Sequence, residues 1–597
     1  MSTSDRRPEP IGTTSRPTFV VDRTTIESYG ARTIADALVG VPGVELFSYG
    51  PFGALVDYGL RGSKSPQTLV LVDGVPVTDP TTGTVELGQL STVGVDRIEI
   101  VESGSSTLYG TSASGGVINV ITRVPRGAYL EASAGSFADR DARIALGDGR
   151  VGVSLERRVA TGAYPYPALA YSPAVTFPAG VRRFAYDDET AGRFSLDLPA
   201  GAGFTVRARA DASGALIGAP GSLAFASTTA SQKTAIDSAL VELERSSRNS
   251  TLTLTAVESR TQLAFDDPVN NFGESDVYTG RSQLSIKDVV ATAHTDAVGG
   301  VDVARESGVF TFPTMPNFVA PSATPIPAFA QGHAQSQSAA YVQLGASPFA
   351  GTRLVAGIRA ENDAPGGSVA APSFGGTIRS GTVRFAGNVG ESFRVPTLQD
   401  LYFPGFSNPN LQPEKAQTAD VTVAYDARGE SLSAGWFDRN GSNFIVLDPT
   451  TFVPQNVQRA TSAGIIVTAR SHPFAGVVAE ASFTDLYRAL DLRTGARLPH
   501  EPNGSATFSL MRPFGGDRVS YGVRWGIVGS DGDDKASVHP LGAEYDAYDT
   551  LEGFVRYRVA PDAVLTLRGF NLGDEHYAPV FAYPAPGRRL YVELSTH

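Results

Sequence analysis

The chain has 597 residues, a formal net charge of -12 and no cysteine. The acidic balance argues against a nucleic-acid partner, which normally requires a basic face, and the lack of cysteine excludes disulfides, thiolate metal sites and a cysteine nucleophile. No run of about 18 apolar residues is present, so the sequence predicts no membrane-spanning helix.

The first 16 residues are polar and contain prolines, and we expect them to form a flexible segment. They lack the apolar core of about 7–15 residues that a secretory signal requires. The opening residues therefore do not themselves support export. We expect the start of the chain to have been trimmed or misassigned.

Residues 17–125 have the pattern of a small α+β unit. Its predicted elements are a strand from Thr18 to Val21, a helix from Ala31 to Val39, and strands from Leu69 to Val72 and from Arg97 to Val101. Thr24 is the predicted N-cap of a capping box with Glu27. Val41-Pro-Gly43 ends the predicted helix, and Asp73-Gly74 predicts a turn.

Short alternating strands dominate from residue 126 to residue 597. Between Phe204 and Ala212, every second residue is apolar and the residues between them are polar. This alternation predicts one apolar and one polar face. The apolar face is the core in a soluble sandwich and faces lipid in an outer-membrane barrel. Stretches rich in Pro, Ala and Ser predict long loops at 160–183, 212–232, 313–335 and 362–378.

Ordered motifs occur in both parts of the chain. In the first part they are Val41-Pro-Gly-Val44, Arg61-Gly62, Leu69 to Gly74, Arg97-Ile-Glu-Ile100, Tyr109-Gly110 and Gly115 to Thr122. In the second part they are Phe393 to Tyr402, Asn408 to Glu414, Asn456 to Gly464 and Thr566 to Tyr577. The two sets resemble the plug and the barrel of the TonB-dependent outer-membrane receptors, and the resemblance spans nearly the whole chain.

The resemblance implies a mostly β fold: a 22-stranded antiparallel transmembrane β-barrel with an N-terminal α+β plug domain inside its lumen. The implied domains are a flexible segment at 1–16, the plug at 17–125 and the barrel at 126–597. The implied function is energy-coupled import of a scarce, bulky nutrient, cobalamin or a ferric siderophore, without enzymatic chemistry. The implied partners are a TonB-type periplasmic energy-coupling protein and outer-membrane lipid, and we expect a monomer.

The chain also departs from the family's pattern. The energy-coupling box is poorly represented, and its only candidate is the segment with Glu9, Ile11 and Thr13. The box pairs with its partner as an added strand, and Pro10 removes one backbone donor. An undriven barrel with a plug, acting as a binding receptor, adhesin or passive pore, is therefore the alternative. A second departure is Glu102-Ser-Gly-Ser-Ser106, where the family has Arg-Gly-Pro-x-Ser.

The resemblance also implies candidate site residues. Arg61 occupies the position of a plug arginine that pairs with barrel acids, which implies a structural or gating role. Cargo contacts in the family come from apical plug loops, and the corresponding residues here are Tyr49, Phe52, Thr81, Thr82 and Thr84. Their stretches are rich in Gly, Pro and Thr, which ordinary turns also favour.

This interpretation requires no resident cofactor. One oxygen-rich stretch contains Asp266, Asp267 and Asp276, and carboxylates are the ligands that calcium favours. A solvated extracellular loop is the alternative, and the stretch lacks the spacing of an EF-hand. No His-x-x-x-His pair occurs, so we expect no catalytic metal.

Overall fold

The structure of the protein is a computed structural model, which describes residues 6–7, 9–51, 53–172, 175–268, 272–314, 327–364, 367–448, 451, 453–498, 501–514, 518–530 and 547–596. It consists of an α+β plug and a closed antiparallel barrel of 22 strands. The predicted fold class is confirmed.

The plug is built around a mixed sheet. Its elements are β1 Thr18–Asp22, α1 Arg23–Tyr29, α2 Ile34–Leu38, β2 Val44–Ser48, β3 Val56–Leu60, β4 Thr68–Val72, β5 Val75–Pro76, β6 Val95–Val101, α3 Ser106–Tyr109 and β7 Gly116–Thr122, with 3-10 turns at Ile11–Thr13 and Ser65–Gln67. The sheet has the order β1-β6-β7-β4-β5, and β2 pairs with β3 beside it. Val70, Ile98 and Ile118 of the sheet are fully buried against Ile34 and Leu38 of α2.

Two predicted helix boundaries in the plug are wrong. Asp22, rather than Thr24, caps α1 by accepting a hydrogen bond from the Thr25 amide at 2.8 Å. Gly30 ends α1 with a left-handed φ of 64°, so the chain must turn before a second helix can start. That helix therefore begins at Ile34 instead of Ala31. No helix in the described ranges is long and apolar enough to cross a membrane.

The barrel follows directly after the plug. Its strands and their insertions are β8 Arg126–Gly135, β9 Arg140–Asp148, β10 Val151–Ala160, β11 Tyr164–Tyr166, β12 Leu169–Ser172, β13 Val175–Phe177, β14 Gly180–Arg182, β15 Asp187–Gly201, β16 Phe204–Gly218, β17 Ser231–Ser246, β18 Ser250–Asp267, β19 Phe272–Ala291, β20 Thr295–Phe312, β21 Phe329–Ala346, β22 Thr352–Ala364, β23 Gly367–Ser380, β24 Val383–Arg394, α4 Leu398–Tyr402, β25 Glu414–Ala427, β26 Glu430–Leu447, β27 Pro454–Arg470, β28 Val478–Asp491, β29 Gly504–Arg512, β30 Val519–Val528, β31 Tyr548–Ala560, β32 Ala563–Phe570 and β33 Arg589–Thr596, with 3-10 turns at Ser136–Ala138 and Leu223–Phe225. In the 161–186 connection, β11 pairs with β14 and β12 pairs with β13 in two small sheets separate from the barrel sheet, and β33 pairs with β8 to close the barrel.

Strand β10 illustrates how the barrel orients its two faces. Glu156 and Arg158 point into the lumen and are 5% and 3% exposed, whereas Leu155, next to Glu156, is 50% exposed on the outer surface. A soluble sandwich would bury the leucine instead. An apolar outer surface around a polar lumen is typical of barrels that lie in a membrane, so the structure decides between the two interpretations of the alternation.

The two ends of the barrel differ in their connections. At one end, short turns such as 149–150 and 202–203 join the strands, and at the other end the connections are longer, as at 161–186 and 571–588. Short turns are periplasmic and long loops extracellular in barrels of this kind. The first apical loop of the plug lies at the long-loop end, because Tyr49 packs on Tyr583 of the 571–588 connection.

The prediction of a long loop at 362–378 is wrong. β22 and β23 run through this stretch, with only residues 365–366 between them. The misleading residue is Pro372, which lies one residue before β23 begins to pair with β24, at Ser373 with Gly390. Its missing N–H therefore costs no ladder bond on that side. The loops predicted at 212–232 and 313–335 are also too long, because β16 extends to Gly218 and β21 begins at Phe329.

Candidate functional site

Arg61 lies where the plug meets the barrel wall. It follows β3 in a left-handed conformation, with φ of 56°. Its Nη1 donates to Asp420 Oδ1 of β25 at 2.7 Å, and its Nη2 donates to Glu102 Oε2 of the plug at 2.8 Å. The guanidinium carbon lies 4.8 Å from the centre of the Phe437 ring. One buried cation thus contacts an acid of the plug and an acid of the barrel.

The two acids around Arg61 were not identified as a pair from the sequence. Burial raises the pKa of Glu102, and the charge of Arg61 only partly offsets this effect. Asp420 also accepts a hydrogen bond from Ser103 in the plug. The sequence held a weak signal for both, because Glu102 opens a departure from the family's pattern and Asp420 lies on the polar face of an alternating strand.

Gln67 makes a second buried contact between plug and barrel. Its amide nitrogen donates to Glu414 Oε2 at 2.9 Å, and its oxygen accepts from Arg439 Nη2 at 2.9 Å. Glu414 is also paired with Arg394 at 2.7 Å. The plug is therefore bound to β24, β25 and β26 by polar groups that are withdrawn from water.

Charged side chains contact the plug around the rest of its perimeter. The contacts are Arg32 with Asp139, Asp73 with Arg209, the Gly88 carbonyl with Arg158, the Val93 carbonyl with Arg193 and the Glu27 carbonyl with Arg568. Asp73, predicted as a turn residue, thus also contacts the barrel.

The candidate energy-coupling box lies inside the barrel. Glu9 is 3% exposed, and its carboxylate accepts from Arg7 Nη2 at 3.0 Å. Thr13 donates its hydroxyl proton to the Pro10 carbonyl at 2.8 Å, and Ile11 begins the 3-10 turn Ile11–Thr13. In this arrangement the segment is not an extended strand that a partner could pair with.

Two arginines just before this segment contact the barrel wall. Arg6 donates to Asp302 at 3.4 Å and lies 4.8 Å from the ring centre of Tyr341. Arg7 lies 3.2 Å from Asp296. Both acids lie on β20, so the N-terminal segment is bound to one part of the wall.

We expect Arg6→Ala to increase the rate of proteinase K cleavage within residues 6–16 about tenfold. The variant loses a desolvated cation–π contact, worth about 2 kcal/mol, together with the contact to Asp302. The measurement is the cleavage rate of the folded, detergent-solubilised protein. Arg23→Ala, which removes only a helix-surface pair with Glu27, is the matched control. Equal rates for Arg6→Ala and the control would contradict the role of Arg6.

Tyr49 of the first apical loop contacts an extracellular connection of the barrel. Its ring lies 4.9 Å from the ring of Tyr583, between β32 and β33, in an edge-on arrangement. Its hydroxyl donates to Asp57 Oδ2 at 3.4 Å, and burial raises its pKa. Phe52, the other candidate in this loop, lies outside the described residues.

The second apical loop is organised around Asp79. Thr81 is buried and donates its amide to Asp79 Oδ1 at 2.7 Å, while Thr84 bonds through its hydroxyl to that of Thr82 at 3.0 Å. The Gln399 amide of α4 donates to the Thr81 carbonyl at 3.2 Å. Thr82 is exposed, whereas Thr81 is covered by the barrel. Cargo contact by these residues stays a prediction.

An aromatic cluster lies beside the second apical loop and was missed from the sequence. Its members are Phe310, Phe312, Phe329, Phe403 and Phe406, with neighbouring ring centres 5.0 to 6.2 Å apart, and beside them His333 stacks on Tyr402 at 4.1 Å. Phe310 and Phe312 fall on the lumen face of β20, a period-two signal that the sequence did contain.

The plug also contains a carboxyl group that titrates near neutral pH. Burial, with a smaller contribution from the charge of Asp57, raises the pKa of Glu86 from 4.5 to about 7. Because the folded plug holds this proton more tightly than the unfolded chain, its stability is fully present below pH 4.5 and falls as the pH rises to about 7.

We therefore expect Glu86→Gln to slow amide hydrogen exchange in the plug at pH 8 and to change it little at pH 5. Asp96→Asn, which alters a more exposed plug carboxylate, controls for the loss of one negative charge. Exchange at pH 8 that is the same in wild type and Glu86→Gln would contradict this prediction.

The candidate calcium ligands are in different environments. Asp267 is buried and accepts from the Ser227 hydroxyl at 2.7 Å. Asp276 lies opposite Ala264 and contacts the Gln262 amide at 3.3 Å, and Asp266 is paired in the ladder with Ser231. In the described part of the chain, no group of three or more His, Cys, Asp or Glu residues is placed to hold a metal ion. Calcium binding stays a prediction, which a calcium titration followed by thermal unfolding would decide.

Comparisons with known proteins agree with this architecture. A family model described as TonB-dependent Receptor Plug Domain matches residues 10–117, and one described as TonB dependent receptor-like, beta-barrel matches residues 131–572. The vitamin B12 transporter BtuB of Vibrio cholerae is 26% identical over 612 residues, covering 99% of this chain and 94% of that protein.

Solved structures of low sequence identity share the fold. The copper transporter OprC superposes with a TM-score of 0.81 at 15% identity, covering 99% of this chain and 100% of that one. The ferric-catecholate import receptor Fiu of K12 E. coli superposes with a TM-score of 0.78 at 17% identity, covering 100% of this chain and 99% of that one.

Proposed function

The chain belongs to the family of TonB-dependent receptors and lies in the outer membrane, and on this premise we propose that it imports a scarce, bulky nutrient in an energy-coupled step. The observation that carries the proposal is the buried contact of Arg61 with Asp420 and Glu102. Separating buried charges from their partners is costly. Moving the plug therefore requires work, which we assign to the energised periplasmic partner.

We propose that the cargo is a cobalamin-type compound or a ferric siderophore. Support comes from the relative described as a vitamin B12 transporter and from the fold shared with a ferric-catecholate import receptor. The aromatic cluster beside the second apical loop offers flat apolar faces, which suit a corrin ring or a catecholate. Tyr49 and Thr82 are the proposed plug contacts, since Tyr49 meets an extracellular connection and Thr82 is exposed.

The proposed driving partner is a TonB-type periplasmic protein. It would bind the segment with Glu9, Ile11 and Thr13 after that segment leaves the barrel. The departure requires the contacts of Arg6 with Asp302 and of Arg7 with Asp296 to break. An extended segment could then add as a strand to the partner's sheet.

The test is binding of cobalamin and of a panel of ferric siderophores to the refolded, detergent-solubilised receptor. Submicromolar affinity for one cargo supports the proposal and identifies the branch. A correctly folded barrel that binds no member of the panel would contradict the cargo assignment. The same panel, supplied to cells that express the receptor, measures uptake.

An undriven barrel is the second candidate function. The observation that favours it is the burial of Glu9, together with the missing amide of Pro10. A receptor of this kind would bind cargo but show no dependence on the N-terminal segment. The deletion described in the Discussion distinguishes it from the driven importer.

A further inference from the structure

A cavity of about 290 Å³ separates one side of the plug from the barrel wall. On the plug side it is lined by the chain that leaves α2, including Val39, Gly40 and Val41. On the barrel side it is lined by strands β28 to β31. On the neighbouring part of the wall, beyond β27 in the strand order, buried contacts such as Arg61 with Asp420 of β25 fill the interface between plug and wall.

The cavity arises from a row of small side chains. Ser482, Thr507, Gly526 and Thr550 lie directly opposite one another on four consecutive strands. A Cβ atom added to Gly526 would meet only the Thr550 hydroxyl, at 3.6 Å. These four positions leave a gap because their side chains are short, and Thr507 borders the plug at Gly40. The row carries hydroxyl and methyl groups and no charge.

The neighbouring rows differ in character. In the next lumen-facing pair towards the extracellular end, Val528 lies opposite Tyr548, whose ring stacks on that of Tyr577 at 4.0 Å. In the next lumen-facing pair towards the periplasmic end, Arg524 lies opposite Glu552. Aromatic side chains thus bound the gap at its extracellular end, and an ion pair bounds it at its periplasmic end.

Arg524 closes the periplasmic end of the gap. Its Nη1 donates to the Val39 carbonyl of the plug at 2.7 Å, and its Nε donates to Glu552 at 3.1 Å. Its guanidinium carbon lies 4.3 Å from the ring centre of Tyr29. One side chain of β30 therefore connects the plug to the wall at this level.

The neighbouring part of the wall, formed by β23–β26, binds the plug without such a gap. The Thr107 hydroxyl donates to the Ala371 carbonyl of β23 at 3.0 Å, and the Phe393 amide of β24 donates to the Ser106 hydroxyl at 3.1 Å. These contacts continue into the buried groups around Arg61 on β25. The plug is therefore attached firmly to β23–β26. A gap lies between it and the nearby strands β28–β31, which contact it through Thr484 with the Gly43 amide and through Arg524 with the Val39 carbonyl.

We propose that cargo leaves the receptor through this cavity, between the plug and strands β28–β31. The plug remains attached to β23–β26, while the chain after α2 moves inward and Arg524 releases the Val39 carbonyl. The cavity is at the lower limit of known ligand pockets, about 300–1,000 Å³, so a bulky cargo passes only when this side widens. The uncharged row suits a large cargo because it offers no strong site at which the cargo would stay bound. This inference rests on the proposed import function.

Paired cysteines test the route, because the native chain has none. A Cβ atom on Gly40 would lie 3.1 Å from Thr507 Cγ2, so Gly40→Cys with Thr507→Cys can join the plug to β29. A Cβ atom on Gly104 would lie 2.9 Å from Ser392 Oγ, so Gly104→Cys with Ser392→Cys can join it to β24 as the matched control. Both pairs replace a plug glycine and a wall hydroxyl residue.

The oxidised Gly40–Thr507 pair is expected to reduce uptake to the level of cells without receptor, with cargo binding retained and uptake restored by reductant. The oxidised Gly104–Ser392 pair is expected to retain at least about half of wild-type uptake. Unchanged uptake with the first pair oxidised, or lost uptake with the second, would overturn the route. Wild type that imports no member of the cargo panel would instead contradict the proposed import function itself.

A second variant avoids the strain of a cysteine at Gly40, whose φ is 78°. Gly526→Trp fills the gap from the barrel side, and Val523→Trp places the same ring on the lipid-facing side of the same strand. We expect the first to reduce uptake at least about tenfold with binding retained, and the second to leave uptake unchanged. Equal uptake by the two variants would overturn the route.

Discussion

Replacing Arg61 with methionine is expected to lower the free energy of plug opening by about 3–5 kcal/mol, the usual cost of leaving a buried charge without its partner. Methionine keeps most of the apolar contact with Phe437, so the effect reports the lost charge. Glu102 and Asp420 would then face each other in a buried site without a cation. The measurement is amide hydrogen exchange of β3 and β6 in the detergent-solubilised receptor.

The control for this prediction removes the acids as well. A triple variant with Arg61→Met, Glu102→Gln and Asp420→Asn removes all three of these charges together, so we expect it to recover most of the loss. The single variant should also be less impaired at pH 5 than at pH 8. The reason is that the pKa of Glu102 is already raised by burial, and removal of Arg61 makes protonation easier still. Exchange in Arg61→Met that matches wild type would contradict the prediction.

Deleting residues 1–16 is expected to reduce cargo uptake to the level of cells that lack the receptor, while cargo affinity stays within about threefold of wild type. The deletion removes Glu9, Ile11 and Thr13, the only segment in which we identify a candidate for the energised partner to bind. The measurement compares uptake in cells with binding to the purified protein. Retained binding would show that the apical surface is intact.

The deletion also removes contacts inside the barrel, so it needs a control that separates the two effects. Arg6→Ala with Arg7→Ala breaks the contacts with Asp302 and Asp296 and keeps the candidate segment. We expect this double variant to take up cargo at least as well as wild type. Unchanged uptake after the deletion would favour the undriven barrel.

The fold could be predicted from the sequence almost in full. Alternation along a strand is a local property, and β10 shows it with Leu155 outside and Glu156 inside. The ordered motifs assigned the plug and the barrel to a known family. Local rules failed where tertiary pairing overrode them, as at Pro372, whose missing N–H costs no bond to β24 because pairing with β24 begins one residue later.

The candidate site could be predicted only in part. Arg61 was identified from its motif, but its partner Asp420 lies 359 residues away and is one of many polar residues on lumen-facing strand positions. The aromatic cluster likewise combines β20 and β21 with the connection that contains α4. The local pattern of one strand does not determine which residue of another element it will contact.

The sequence by itself determined the family, the polarity of each strand and the placement of Arg61, because motifs and period-two alternation depend on neighbours along the chain. The tertiary structure decided that Asp420 neutralises Arg61 and that four small residues align into a gap beside Gly40. The physical reason is strand register, since a shift of one residue would exchange the lumen and lipid faces. Only barrel closure and the seating of the plug bring these distant residues together.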